Sequence, residues 1–254
     1  MGVDQDQQAR AALVGASLLS ARTERALLSA AVIALFVIGY FAIGRSIRPE
    51  SAHDLATAWD RRIPFVAWTV WIYLWLFPAS LLPLFVVRCP RLFRRTIAAY
   101  TIVIVVSLAV FAAYPVTSGH LREAAGRLDA DSVSPWAVLT VYRLDPPLNL
   151  FPSLHLSIAL LAALSAWTAS RIYGVLTGVG VVLVAISICT VKQHVLADAA
   201  GAFVLSGTVY AAVLRPYVPV AGVATAYGWR GAAAYAAFTA LVYAGFVAAF
   251  LLRG

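Results

Sequence analysis

The sequence predicts an all-α fold, a polytopic membrane protein in which a bundle of helices crosses a lipid bilayer. Of the 254 residues, 62% are hydrophobic and only 12% are charged, about half of the roughly 25% that soluble domains carry. The mean hydropathy is +0.86. Long apolar segments also recur along the chain, and a bilayer core of about 30 Å takes roughly 20 apolar residues as a helix. Lipid is therefore the expected surroundings of most of the surface.

Seven segments are apolar enough to be predicted as spanning helices: 27–44, 64–87, 96–115, 153–169, 172–190, 196–214 and 231–252. Residues 1–26 are mostly polar and are expected to form a cytoplasmic or interfacial segment, as an amphipathic helix on the membrane surface. The first apolar segment is expected to stay as an uncleaved anchor. The longest connection, 116–152, is predicted to be a polar loop, and loops of such length are often functional.

The charges predict an orientation in the membrane. The short connection 88–95 holds four Arg and no acidic residue, which is typical of a cytoplasmic loop. The N-terminus is then cytoplasmic, and the connections 45–63, 116–152 and 191–195 face outside. The expected location is a plasma membrane, or the inner membrane of a bacterium. The same topological rule accounts for the net charge of +8, so nucleic acid is not an expected partner.

Two polar side chains near the start of the sixth segment form a candidate catalytic pair. His194 and Asp198 are four residues apart, so on one helix they share a face. The carboxylate can accept a hydrogen bond from one ring nitrogen, which leaves the other nitrogen free to act as a nucleophile or general base. Such a pair is often only a structural hydrogen bond, but ionisable groups at membrane depth are usually functional.

A second candidate site lies where the fourth segment begins. Ser153 is a good helix N-cap and Pro152 suits the start of a helix, and a helix N-terminus binds phosphate readily. His155 would stand beside such an anion, placed to protonate a leaving oxygen.

Topology brings these two motifs to the same membrane face. Two spanning segments, 153–169 and 172–190, separate them, and two crossings return the chain to the side that it left. His155 and His194 are therefore expected at one face, where the loop containing Arg122 also opens.

These residues resemble the motifs of the type 2 phosphatidic acid phosphatase superfamily, in which Pro-Ser-Gly-His and His-x-x-x-Asp close around a phosphate. The string from Asp145 to His155 is most similar to the branch that includes inositol phosphorylceramide synthases. The resemblance implies a six-helix core over residues 27–214. Residues 215–254 would then form a loop and an additional transmembrane helix.

The resemblance also implies roles for the motif residues. His194 would be the nucleophile that forms a phosphohistidine, and Asp198 would orient it. His155 would be the general acid, and Ser153 would help to hold the phosphate. The family normally uses no metal, and no cofactor is expected.

The chain departs from the family pattern in its positive charges. The family's first motif, a Lys followed by an Arg-Pro pair, has no match, and Arg122 is the expected stand-in for that Arg. In the third motif Ile188 occupies the usual Arg position, so Lys192 is expected to supply the phosphate-binding charge. Leu154 replaces the Gly of the second motif.

The function expected from the sequence is a lipid phosphatase or phosphotransferase that needs no metal. Its substrate would be a lipid phosphate or phospholipid reached through the membrane. With water as acceptor the enzyme is a phosphatase, and with an alcohol acceptor it is a transferase. A transporter or a noncatalytic scaffold is a more distant alternative. Ser118-Gly119-His120 also looks like the end of the second motif, but no apolar helix follows it, so His155 is preferred.

Overall fold

The computed structural model describes residues 2–122, 128–145 and 147–253, with side chains from residue 20 onward. These ranges are mostly helical and contain only two strands of two residues each, which confirms the predicted all-α class. The α-helices are α1 (Gly2–Ser46), α2 (Ala58–Arg62), α3 (Val70–Leu74), α4 (Leu76–Val86), α5 (Pro90–Ala113), α6 (Gly119–Arg122), α7 (Val133–Leu144), α8 (Leu154–Ala169), α9 (Arg171–Thr190), α10 (Leu196–Val209) and α11 (Trp229–Leu251). Short 3₁₀ turns cover Pro49–Ser51 and Ala67–Thr69, and a π-helical turn, Tyr210–Leu214, continues α10.

In the described part of the chain, six helical stretches are long and apolar enough to cross a membrane: Ser20–Ser46, Ala67–Val86, Pro90–Ala113, Arg171–Thr190, Leu196–Leu214 and Trp229–Leu251. The protein is therefore an integral, polytopic membrane protein. The remaining predicted segment, 153–169, forms α8, which has 16 residues and is shorter than the others.

Helix α8 lies at the centre of the bundle. Leu154, Ile158 and Leu161 belong to one hydrophobic cluster, which includes residues of α1, α4 and α5. Leu156 and Ala159, on its other side, belong to a second cluster, with residues of α3, α7 and α9. Because α8 packs against other helices on both sides, it needs no polar face, as is usual for a buried helix. By contrast, α11 buries none of its side chains and contacts α4 and α7 from outside.

The predicted span 64–87 is not one regular helix. It consists of the 3₁₀ turn at Ala67–Thr69, then α3, then α4, with Trp75 at the junction. Pro78 has no backbone N–H and therefore leaves the carbonyl of Leu74 without its helical partner. The helix has a tighter, 3₁₀-type hydrogen bond at that point, where the N–H of Trp75 donates to the carbonyl of Ile72 at 3.2 Å.

Two expectations about the connections differ from the structure. Helix α1 runs from Gly2 to Ser46 without a break, so the boundary expected at residue 26 does not mark the end of a helix. The connection 116–152 is not a plain polar loop, because it contains α6 and α7. Val138 and Val141 of α7 are buried against the bundle, and this apolar face was hidden in a segment that Pro and charged residues make polar on average.

Several connections meet at one end of the bundle. Strands His53–Asp54 and Val116–Thr117 pair in parallel, and Val116 also forms a bridge with Asn149. Because successive helices alternate in direction, this end also receives the first residues of α8 and the turn from α9 to α10. It is the end that carries the predicted site residues.

Candidate active site

His194 lies in a tight turn between α9 and α10. Helix α9 ends at Thr190, and the N–H groups of Gln193 and His194 both donate to the carbonyl of Ile188, at 2.9 and 3.1 Å. Lys192 has a φ of +55°, in the left-handed region that non-glycine residues seldom adopt. This sharp reversal turns the His194 side chain into the bundle, where it is 2% exposed.

Asp198 defines which nitrogen of His194 carries the hydrogen. Its Oδ2 atom lies 3.1 Å from Nδ1 of His194 and also accepts the N–H of Val195 at 3.0 Å. An ionised carboxylate only accepts hydrogen bonds, so Nδ1 is the protonated nitrogen and Nε2 presents a lone pair. Asp198 is fully buried in the first turn of α10, where the helix dipole favours a negative charge.

Ser153 occupies the other side of the His194 ring. Its Oγ atom lies 3.1 Å from Nε2 of His194 and accepts the N–H of Leu156 at 3.4 Å as the N-cap of α8. Its own N–H donates to the carbonyl of Asp198 at 3.1 Å. Gly201 permits this close approach of α10 to the start of α8, because a Cβ at that position would stand 2.7 Å from the Phe151 ring.

These contacts form one continuous chain of hydrogen bonds from Ser153 through His194 to Asp198, in which all three side chains are buried. The arrangement holds an imidazole with an unprotonated nitrogen directed at the N-terminus of α8. Helix N-termini present free N–H groups and a partial positive charge to an anion. The geometry is therefore suited to a nucleophilic or basic imidazole beside a bound anion.

His155 projects from the first turn of α8 into aromatic surroundings. Its ring lies 5.3 Å from the ring of Phe36, 5.4 Å from Tyr40 and 6.3 Å from Phe77, each in an edge-on arrangement. Among the described residues, no group forms a hydrogen bond with either ring nitrogen. His155 is therefore free to exchange a proton with a bound molecule.

An apolar cavity of about 260 Å³ ends at His155. It lies between α1, α4, α5 and α8, and Val37, Phe77 and Ile158 are among the residues that line it. Val37 and Phe77 are 42% and 43% exposed. The cavity is therefore not closed at these two side chains.

Arg122 lies at the same end of the bundle and is only 8% exposed. It donates through Nη1 to the carbonyl of Asp145 at 2.6 Å and through Nη2 to Oε1 of Gln193, the neighbour of His194. Its guanidinium also stacks over the ring of Tyr142, 4.8 Å from the centroid. The structure thus connects Arg122 to the His194 turn through one side chain.

The side chain of Lys192 is held by two backbone carbonyls. Its Nζ atom donates to the carbonyls of Asp60 at 3.0 Å and Ile63 at 2.6 Å, and burial lowers the pKa of the ammonium group. A lysine has three such hydrogens, so two are used to tie the His194 turn to α2 and to the residue that follows it. Its role as a phosphate ligand stays a prediction.

Four residues at this end were not singled out by the sequence: Tyr40, Asp60, Asp145 and Gln193. Asp60 caps α10 by accepting the N–H of Leu196 at 2.7 Å. Burial raises the pKa of Asp60, but hydrogen bonds from Thr57 and Leu196 outweigh burial and hold it below its usual value. The hydroxyl of Tyr40 donates to the carboxylate of Asp145. The only signal for Asp145 was its place in the string before Pro152.

The other histidines have partners away from this cluster. His120 lies 3.7 Å from the carboxylate of Asp54 and is largely exposed, and the ring of His53 stacks on Tyr114 at 4.1 Å. Within the described ranges, no group of three or more His, Cys, Asp or Glu side chains is arranged to hold a metal ion.

The comparisons with known proteins point to one family. A family model described as the PAP2 superfamily matches residues 47–212, well over half of the chain. The match includes His155, His194 and Asp198 and begins just after α1. Neither the comparison with curated proteins nor the comparison with solved structures gave a significant match.

Proposed function

Because the chain belongs to the PAP2 superfamily, we propose that it is a membrane phosphatase or phosphotransferase that cleaves a phosphate ester of a lipid through a phosphohistidine at His194. Membership by itself indicates phosphatase or phosphotransferase chemistry on a phosphate ester. The observation that carries the finer proposal is the hydrogen-bond chain Ser153–His194–Asp198, with 3.1 Å at both of its contacts.

The proposed first step is attack by Nε2 of His194 on phosphorus. The lone pair forms the N–P bond while the bond from phosphorus to the lipid oxygen breaks, and the departing alkoxide takes a proton from His155. Asp198 stabilises the positive charge that develops on the His194 ring. When phosphate enters, the hydroxyl of Ser153 moves its hydrogen bond from Nε2 to a phosphate oxygen.

In the second step His155, now unprotonated, takes a proton from the acceptor as the acceptor oxygen attacks phosphorus. The N–P bond breaks and Nε2 regains its lone pair. Arg122 neutralises phosphate charge in both steps, and this electrostatic work is the larger part of catalysing phosphoryl transfer. Lys192 contributes its charge from a greater distance. The mechanism assigns no metal and no cofactor.

The lipid nature of the substrate is supported by the apolar cavity that ends at His155. The general acid must stand beside the leaving alcohol, and the cavity places hydrocarbon surface at that position. A lipid alcohol that departs from phosphorus would therefore remain on the apolar side. Entry from the bilayer between α1 and α4 follows from the exposure of Val37 and Phe77.

Water as the acceptor makes the protein a phosphatase, and this is the first candidate. The second is transfer of a phosphorylated head group to an alcohol, as in inositol phosphorylceramide synthases. It is supported by the resemblance of the string from Asp145 to His155. We further propose that the N-terminus is cytoplasmic and that the site faces outside. Residues 27–214 are proposed as the catalytic domain and 215–254 as an addition.

The decisive experiment is to trap the phosphoenzyme. Detergent-purified protein is mixed with radiolabelled lipid phosphate and quenched, with His194→Ala and Ser153→Ala in parallel. We expect label on the wild type that mild acid removes, as for a phosphoramidate, and none on His194→Ala. Acid-stable label that persists in His194→Ala and disappears in Ser153→Ala would assign the nucleophile to Ser153 and overturn the proposal.

The products identify the acceptor. With lipid phosphate alone, free phosphate indicates hydrolysis. With a phospholipid and an added polyol, a new phosphodiester indicates transfer. EDTA is expected to leave the rate unchanged, and a strict need for divalent metal would contradict the mechanism.

A further inference from the structure

Tyr40 of α1 contacts both the proposed general acid and a buried carboxylate. Its ring lies 5.4 Å from the ring of His155, edge-on at an interplanar angle of 77°. Its hydroxyl donates to Oδ1 of Asp145, 105 residues further along the chain. Tyr40 is 3% exposed, and Phe36, one turn earlier, stacks on it at 5.5 Å. These contacts come from a helix that lies outside the matched family region.

Asp145 is a buried acidic group that the phosphoryl-transfer mechanism does not use. It is 9% exposed, directly after α7, and its Oδ2 atom has no hydrogen-bond partner among the described residues. The carbonyl of Asp145 accepts Nη1 of Arg122, so its backbone is anchored beside the phosphate-binding charge. Burial of a carboxylate is unfavourable unless nearby groups compensate for it.

His155 is the natural partner for this charge. Tyr40 links Asp145 to His155, because its hydroxyl donates to the carboxylate and its ring lies 5.4 Å from the imidazole ring. Asp145 accepts the hydroxyl of Tyr40 at its side chain and Nη1 of Arg122 at its backbone carbonyl. Among these groups, Asp145 supplies the negative charge that favours a protonated imidazole.

We propose that Tyr40 and Asp145 are positioning residues for His155, acting as a second carboxylate–histidine unit beside Asp198 and His194. The inference rests on the proposed function, because it assumes that His155 protonates the leaving group. Asp145 favours the imidazolium that can donate this proton. Tyr40 holds the Asp145 carboxylate by a hydrogen bond and holds the His155 ring by edge-on packing. Helix α1 is then part of the catalytic apparatus and not only an anchor.

Comparing two leaving groups distinguishes a positioning role from a merely structural one. An alkyl phosphate releases an alkoxide, which needs a proton from His155, whereas p-nitrophenyl phosphate releases a phenolate, which does not. The full-length protein in detergent is assayed with both soluble esters as the wild type, Tyr40→Phe, Asp145→Asn and His155→Ala. Tyr243→Phe is the matched control, because its partly buried hydroxyl donates to the carbonyl of Trp71 and has no contact with His155.

We expect release of the alcohol in the first turnover of the alkyl ester to slow about 10- to 100-fold in Tyr40→Phe and Asp145→Asn, part of the roughly 10²- to 10⁴-fold that general acid–base catalysis contributes. Release of nitrophenolate in the first turnover should change less than about threefold, which also shows that the variants fold. The first turnover is compared because the second step, in which His155 acts as the base, is common to both esters. Tyr243→Phe should match the wild type with both esters.

The outcomes separate this inference from the proposed function. If His155→Ala shows the selective loss while Tyr40→Phe and Asp145→Asn do not, the positioning role is wrong and the proposed function stands. Equal losses with both esters in Tyr40→Phe and Asp145→Asn also overturn the inference. If His155→Ala loses nothing with the alkyl ester, the general acid is wrongly assigned and both proposals fail.

Discussion

Replacement of Asp198 by Asn tests how the carboxylate controls His194. One oxygen, Oδ2, accepts both the N–H of Val195 and the Nδ1–H of His194, whereas Oδ1 is buried and has no partner in the described part of the chain. In Asp198→Asn only the amide oxygen can accept these two hydrogens, so it must take the Oδ2 position. The NH₂ group then takes the position of Oδ1. The tautomer of His194 is retained, and the negative charge is lost.

The magnitude follows from the lost charge. A hydrogen bond to a charged group contributes about 1.5–3 kcal/mol and one between neutral groups about 0.5–1.5 kcal/mol. The difference, about 1–1.5 kcal/mol, corresponds to roughly a tenfold change, and it grows as His194 becomes cationic. Because the N–H of Val195 holds the amide oxygen next to Nδ1, we expect kcat of Asp198→Asn to fall only about 10- to 100-fold.

Asp198→Ala is the informative comparison, because it removes the acceptor itself. The imidazole is then free to place its hydrogen on Nε2, and a wrong tautomer costs a histidine-dependent site on the order of 10⁴-fold. Phosphate release from a soluble ester is measured for both variants in detergent, with thermal unfolding as the check of folding. Asp131→Asn, whose side chain is 96% exposed, is the control. Equal losses in Asp198→Asn and Asp198→Ala would refute the tautomer argument.

Three further predictions concern the cavity, Lys192 and the orientation. Ile158→Trp fills the cavity beside His155, so turnover of a long-chain lipid phosphate should fall at least about tenfold through loss of apolar burial. A soluble ester should still be cleaved, and equal losses on both substrates would contradict a binding site for the lipid tail. Lys192→Met leaves the carbonyls of Asp60 and Ile63 without their donor, so the free energy of unfolding should decrease by about 1–3 kcal/mol. A thermal or denaturant melt measures this change, and an unchanged stability would show that these hydrogen bonds contribute nothing. Asp131→Cys should react with an impermeant maleimide on intact cells, because α7 lies on the proposed outer face and both native cysteines are buried; labelling only after lysis would reverse the orientation.

The fold class was predictable from composition, because a chain with so few charges has only lipid as a matching solvent. The meeting of the two motifs was predictable for a different reason, since two crossings return a chain to its starting side. The structure brings Ser153 within 3.1 Å of His194, across 41 residues of sequence. That argument needed only the count of spanning segments and no knowledge of how the helices pack.

The groups around His155 could not be found in the same way. Tyr40 lies in the apolar part of α1, and its partner Asp145 is 105 residues away, so no local spacing connects them. Asp60 caps α10 by accepting the N–H of Leu196, which lies 136 residues further along the chain. The burial of α7 was also missed, because its apolar face is short and the surrounding connection is polar. Such long-range pairs depend on which helices pack side by side, and one sequence carries no direct record of that.

The length of α8 has a consequence for how deep the chemistry lies. Its 16 residues extend about 24 Å, against a hydrocarbon layer of about 30 Å. When its far end is flush with that layer, its first turn, with His155, stands several ångströms below the plane of the lipid head groups. Under the proposed function, a lipid phosphate must then move below that plane to meet His194, toward the buried guanidinium of Arg122. A lipid whose phosphate is held at the head-group plane would be a poor substrate for that reaction.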